Sequence, residues 1–243
     1  MSNPLAPESL DVVYRGQFKD GLELRADTAG ASTTMVGHFS MFDNWYEINS
    51  AWEGNFLERC VAGCYARTIA NNRSSIKVAF DHGYDSQIGD KPLGPIEDLR
   101  EDAVGAYYEV PLLDTDYNRD FVLPALEGRT MDGRKLGSTL GASFRFRVIG
   151  DSWNMEPGES EHNPNGLPER SITEARVFEF GPVVYPANPE ATAGVRSLTD
   201  SYMERSLSRL GRSQRIGEQL AKIESTSPAL GTDALDETTD PLT

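Results

Sequence analysis

The sequence predicts an α+β fold rich in strands, and three features point that way. Apolar and polar residues alternate with the period of a strand at Ile76–Phe80, Ala142–Val148 and Ile172–Val183. Other apolar runs flank Lys19-Asp20-Gly21 and Glu101-Asp102, which suit hairpin turns. Before residue 200, helical signals are confined to two short stretches, around Tyr65–Ala70 and Asp114–Glu127.

The 243 residues suit one domain with extensions, or at most two small ones, and can bury a real core. Net charge is −15 and the pI about 4.6, which argues against sequence-independent nucleic-acid binding. A basic patch at Arg145 and Arg147 is the local exception. No apolar run is long enough to span a membrane, and Met1-Ser2-Asn3-Pro4 does not open a signal peptide. The expected location is a cytosol, or an enclosure assembled within one. The two cysteines, Cys60 and Cys64, have helical spacing and read as buried free thiols. With three histidines (His38, His82 and His162), multi-histidine metal sites are disfavoured, and no metal or cofactor is expected.

Residues 1–10 read as a flexible N-terminus. Val12-Val13-Tyr14 and Leu22–Arg25 read as a hairpin, and residues 34–42 as a strand containing a packed His38. Residues 43–53 read as a loop, followed by the short helix ending near Asn71-Asn72. The Ile76–Phe80 strand stops at Asp81-His82-Gly83, which leaves His82 anchored and exposed enough to react. Leu93–Ile96 and Ala106–Leu113 read as a second hairpin. Asp114-Thr115-Asp116 starts a helix that Pro124 kinks or shortens before Gly128. Residues 129–137 form a polar loop.

Gly137–Val148 is a glycine-marked turn running into the central strand. Ala142, Phe144, Phe146 and Val148 fall on one face, with Ser143, Arg145 and Arg147 on the other. Residues 150–170 read as a polar excursion with a solvated His162 and the length of a lid or binding element. On the next strand, alternation puts Glu179 with Ala175, Val177, Gly181 and Val183, an apolar face on which a carboxylate needs a partner. Residues 199–224 have partly helical spacing and read as a docking helix; residues 225–243 read as a disordered acidic tail.

Ser143, His82 and Glu179 supply the groups of a nucleophile, a general base and an orienting carboxylate. Serine needs a neighbour to take its proton, imidazole can take and return it, and a carboxylate fixes the useful tautomer. One sheet can bring the three together, but the pattern alone does not require it. The bland alternative is a β-rich binding domain with Glu179 ion-paired and His82 solvated.

A set of short segments falls in a fixed order. They are Phe56-Leu57-Glu58-Arg59 with Gly63-Cys64-Tyr65; Phe80-Asp81-His82; Leu93-Gly94; Asp114-Thr115; Gly141-Ala142-Ser143-Phe144-Arg145-Phe146; and Phe178–Val183 with Tyr185-Pro186-Ala187. In this order they resemble the prohead (capsid maturation) serine proteases of tailed bacteriophages, distant relatives of the herpesvirus assemblins. The resemblance covers about Val36 to Arg196 and sets a protease domain over residues 11–198. It implies a mostly antiparallel, barrel-like sheet with a few surrounding helices. It maps the nucleophile to Ser143 and the histidine to His82, while the third position offers Glu179 where assemblins have a second histidine.

The implied activity is that of a serine endopeptidase, without cofactors, inside the assembling procapsid in the bacterial cytoplasm. Its implied substrates are the scaffolding segment of the major capsid protein, or a separate scaffold, and the protease itself; self-association is compatible, and neither nucleic acid nor membrane is expected. Arg145 stands where glycine is usual and either crowds the cleft or helps an oxyanion. The rival readings are an idle capsid or scaffolding protein with the same fold, and an unrelated two-carboxylate hydrolase.

Overall fold

The computed structural model describes residues 12–17, 22–26, 33–50 and 53–184. The expected docking helix, acidic tail and flexible N-terminus lie outside the described residues, as does Tyr185-Pro186-Ala187. Strands dominate, with two short α-helices among the described residues.

Two sheets form. The larger has the order β1 (Val13–Gln17), β9 (Gly141–Asn154), β10 (Glu169–Val183), β5 (Gly54–Cys60) and β4 (Tyr46–Ser50), and the two-residue β6 (Lys77–Val78) also pairs with β10. The smaller has the order β2 (Leu22–Ala26), β3 (Thr33–Met41), β8 (Gly105–Pro111) and β7 (Asp98–Glu101). Most pairings are antiparallel, but β10 meets β5 and β6 in parallel. Neither sheet closes into the barrel that the resemblance implied. The far edge of β10 is divided between two short partners, and β3 pairs with β2 and β8 instead of joining the larger sheet.

The larger sheet nevertheless curls. Arg15, on β1 at one end, forms ion pairs with Glu58 on β5, one strand from the other end. The core lies between the two sheets. Phe39 of β3 packs on Phe144 and Phe180, at ring-centroid distances of 5.2 and 4.9 Å, and Tyr108 of β8 meets Phe180 at 4.7 Å.

Several expectations change. The strands on either side of Lys19-Asp20-Gly21 do not pair with each other as expected: β1 pairs with β9 and β2 with β3. Residues 46–50, expected as loop, pair with β5, their buried Ile48 and Ser50 alternating with exposed Glu47 and Asn49. Cys60 ends a strand and Cys64 lies in the turn before α1 (Ala66–Asn72), so they do not share a helical face; both are buried free thiols. Leu93–Ile96 is not a strand, and the second hairpin is β7–β8. The excursion shrinks to 155–168, since β9 and β10 continue to Asn154 and from Glu169 as one long hairpin.

The helices are short for identifiable reasons. The Glu101 carboxylate accepts from the backbone N–H groups of Gly63 and Tyr65 at the start of α1. Before α2 (Leu123–Glu127), residues Asn118–Val122 make a π-helical turn. Pro124, which has no N–H to donate, is the second residue of α2. Gly128 then ends α2 in the left-handed conformation.

Candidate active site

Three neighbouring strands of the larger sheet supply the site. Ser143 is the third residue of β9, and Gly181 of β10 lies directly opposite it. Glu179 is two residues earlier on β10, paired with Lys77 of β6. From β6 the chain passes through Ala79, whose N–H donates to the Phe180 carbonyl, into the turn that carries His82. Here the chain needs an unusual backbone: Asp81 and His82 adopt φ of 44° and 54°, and Gly83 follows at 76°. Such left-handed geometry is costly for residues with a Cβ and persists where its surroundings hold it. It turns the chain sharply enough to swing His82 back over β10 and β9.

The result brings the three predicted residues together. His82 Nδ1–H donates to Glu179 Oε2 across 2.6 Å, and His82 Nε2 lies 2.8 Å from Ser143 Oγ. All three are buried, Ser143 at 0%, His82 at 8% and Glu179 at 3% exposure. Tyr14 of β1 packs edge-on against the His82 ring at 5.1 Å, and its hydroxyl lies 3.3 Å from that of Tyr84. Burial, with help from Tyr84, pushes the Tyr14 phenol pKa up, while Arg145 pulls it back. Glu179 Oε1 is buried without a hydrogen-bond partner among the described residues.

Glu179 reaches this position by a route that strict alternation misses. The β9–β10 register slips between Val177 and Glu179: Val177 faces Phe146, whereas Glu179 faces Arg145 and Gly181 faces Ser143. That bulge flips the parity of the strand. Glu179 therefore leaves the face of Ala175 and Val177 and joins that of Ser143. Arg145, directly opposite, has its Nε buried without a hydrogen-bond partner among the described residues.

The other histidines are elsewhere. His38 bonds Asp102 at 2.8 Å on β3, in the packed position expected. His162 is not simply solvated: it stacks on Trp45 at 5.2 Å and lies 2.9 Å from Glu169 Oε1.

One neighbour of Ser143 had no counterpart in the sequence reading. The Ser143 hydroxyl donates to the Arg15 carbonyl oxygen across 2.6 Å. The Arg15 side chain runs into a buried acidic pocket. Its Nη2 is 2.7 Å from Glu53 Oε2, its Nε is 2.6 Å from Glu58 Oε1, and Tyr46 donates to the same Glu58 oxygen. Burial disfavours the Arg15 charge, but Glu53 and Glu58 outweigh it and hold the guanidinium firmly protonated. Burial likewise pushes Glu58 up, and Arg15 and Arg170 more than reverse this, leaving its pKa below the ordinary value. Glu58 shares a strand face with Phe56 and Cys60, a signal readable only once residues 54–60 are taken as a strand.

Chemically, the arrangement can move a proton from a serine hydroxyl to an imidazole braced by a carboxylate. A family model described as caudovirus prohead serine protease matches residues 20–205, well over half of the chain. No curated protein and no solved structure matches the chain.

Proposed function

We propose, from the premise that this chain belongs to the caudovirus prohead serine protease family, that it is an active serine endopeptidase of procapsid maturation. Ser143 is the nucleophile, His82 the general base and acid, and Glu179 the carboxylate that orients the imidazole. The reading rests chiefly on the alignment of Glu179 Oε2, both ring nitrogens of His82 and Ser143 Oγ, at 2.6 and 2.8 Å. Glu179 accepts from Nδ1–H, which leaves Nε2 free to take the serine proton. As Ser143 Oγ attacks the scissile carbonyl carbon, that proton moves to Nε2, and the Glu179 carboxylate offsets the positive charge on the ring. His82 next protonates the leaving amine. Water, deprotonated by the same nitrogen, then hydrolyses the acyl-enzyme.

The substrates, by family membership, are the major capsid protein's scaffolding segment or a separate scaffold, and the protease itself. The work is done inside the assembling procapsid. Residues 199–243 act as a docking helix and a tail removed on maturation; normal packaging and activity without them would refute that part.

The decisive experiment co-expresses wild type or Ser143→Ala with the coat and scaffolding proteins of the same phage and reads chain masses. Shortened chains in wild type and full-length chains in Ser143→Ala support the reading. Identical cleavage in both removes Ser143 from the mechanism. Full-length chains in both, with wild type folded and packaged, favour an idle capsid protein.

A further inference from the structure

We infer that Glu53 and Glu58 form the pocket that selects arginine on the acyl side of the cleaved bond, and that Arg15–Gly16 is the protein's own first cleavage site. The inference rests on the protease reading above and adds its specificity.

Four observations meet at β1. First, β1 adds to the edge of the strand that carries the nucleophile, antiparallel, with Gly16 opposite Ser143 and Arg15 opposite Phe144. Strand addition is how extended peptides commonly bind a sheet edge, with main-chain bonds for affinity and side-chain pockets for specificity. Second, the Arg15 carbonyl of β1 accepts the Ser143 hydroxyl proton across 2.6 Å. That contact puts the Arg15 carbonyl beside the nucleophile, where a turn of the peptide would present its carbon for attack and make Arg15 the acyl-side residue. Third, its side chain is 3% exposed and clamped by two carboxylates, Glu53 through both oxygens and Glu58 through Oε1 at 2.6 Å. Fourth, β1 lies wholly before residues 20–205, the part that matches the family.

A buried ion pair is a poor device for stability alone, since well-packed apolar groups do as well or better. It is a good device for selection. With β1 gone, Glu53 and Glu58 would face the space left by the guanidinium. Arg170, bonded to Glu58 Oε2 and Asp151, and Tyr46, bonded to Glu58 Oε1, would stay in place beside them. A planar, always-charged fork fits two such carboxylates; a lysine ammonium offers a single point charge.

The same geometry explains why the bond is held rather than cut at once. The Ser143 hydroxyl has one proton, and here it goes to the Arg15 carbonyl oxygen, not to His82 Nε2. Cleavage begins when that carbonyl turns to present its carbon. Ser143 Oγ then bonds to the carbon and its proton passes to His82. The bond to the Gly16 nitrogen breaks, with that nitrogen taking the proton from His82. Water completes hydrolysis, releasing a segment that ends in the Arg15 carboxylate and a chain that begins at Gly16.

The test uses the full chain as wild type, Arg15→Ala, Glu53→Gln and Ser143→Ala. Each is incubated with a set of unstructured synthetic peptides that differ at one position, and all masses are recorded. We expect Ser143-dependent cuts after arginine, favoured over alanine or glutamate by on the order of 100-fold. We also expect a wild-type chain beginning at Gly16 and no such chain from Arg15→Ala. In Glu53→Gln the arginine-to-alanine ratio should fall by roughly 10-fold or more. If Glu53→Gln fails to fold, the wild-type preference decides alone. Ser143-dependent cuts after other residues overturn the pocket and leave the protease reading intact. Arginine preference without a chain starting at Gly16 overturns the assignment of Arg15. No Ser143-dependent cut by wild type or by Arg15→Ala removes the protease reading, and the pocket with it.

Discussion

Replacing Glu179 by glutamine tests the relay where its geometry is most exacting. The substitution keeps the shape of a side chain that is almost fully buried but removes the charge facing His82. That charge matters most when His82 holds the serine proton. With contacting atoms 2.6 Å apart, the centres of the two charges lie about 4 Å apart, worth about 4 kcal/mol at an effective dielectric near 20. Losing it slows acylation roughly 1,000-fold. If the amide nitrogen turns toward Nδ1, the ring is held in the wrong tautomer and the loss approaches ~10,000-fold. Two assays read this: the rate at which a fluorophosphonate labels Ser143, and kcat/KM on a cleaved peptide. Both should fall together while the thermal transition stays put. A folded Glu179→Gln protein within 10-fold of wild type in both assays would refute the reasoning and reduce Glu179 to a packing role.

Two further outcomes follow from residues around the site. Gly181→Ala would drive a Cβ into the Ala79 carbonyl oxygen, on the segment leading to His82. It should cost about 2–3 kcal/mol in urea unfolding and abolish Ser143 labelling, whereas an unchanged midpoint would mean that β10 and the His82 turn are not so tightly joined. Glu58 gives an acid-side signature. Its pKa in the folded protein is depressed below the ordinary 4.5. Its stabilising contribution is thus complete above that value and is lost as the pH falls through it toward the folded-state value. The urea midpoint of wild type should therefore drop more steeply on acidification below pH 4.5 than that of Glu58→Gln; parallel curves would contradict the assignment.

The chemistry of the site could be read from the sequence more fully than its geometry. Ser143 and His82 stood out because strand periodicity and turn glycines are local properties. Alternation placed Ala142, Phe144 and Phe146 on the core face, and all three are buried there. Glu179 was singled out by an alternation count that the bulge after Val177 invalidates, so the face assigned to it was wrong even though the residue lies in the site. A bulge leaves little trace in composition. The partner of β1 was not readable at all, because pairing Gly16 with Ser143 joins residues more than a hundred positions apart. The nearby Lys19-Asp20-Gly21 turn suggested a local hairpin instead. Likewise, Ser143 belongs to the polar face of its strand yet is fully buried, since other elements cover that face.

The covering of Ser143 by a strand of its own chain also has a kinetic meaning. A tethered peptide meets its cleft at an effective concentration set by chain length, of millimolar order for short links, and dilution does not lower it. On the protease reading, free peptides would have to compete with that occupant, so a modest affinity of β1 would be enough to keep the enzyme quiet. A single cut behind Arg15 would convert the occupant into a free product. Its hold on the cleft would then fall with the surrounding concentration, and release would be one-way. Enclosure at high density would then favour the substrates, because neighbouring chains packed around the enzyme supply the local concentration that the tether once provided.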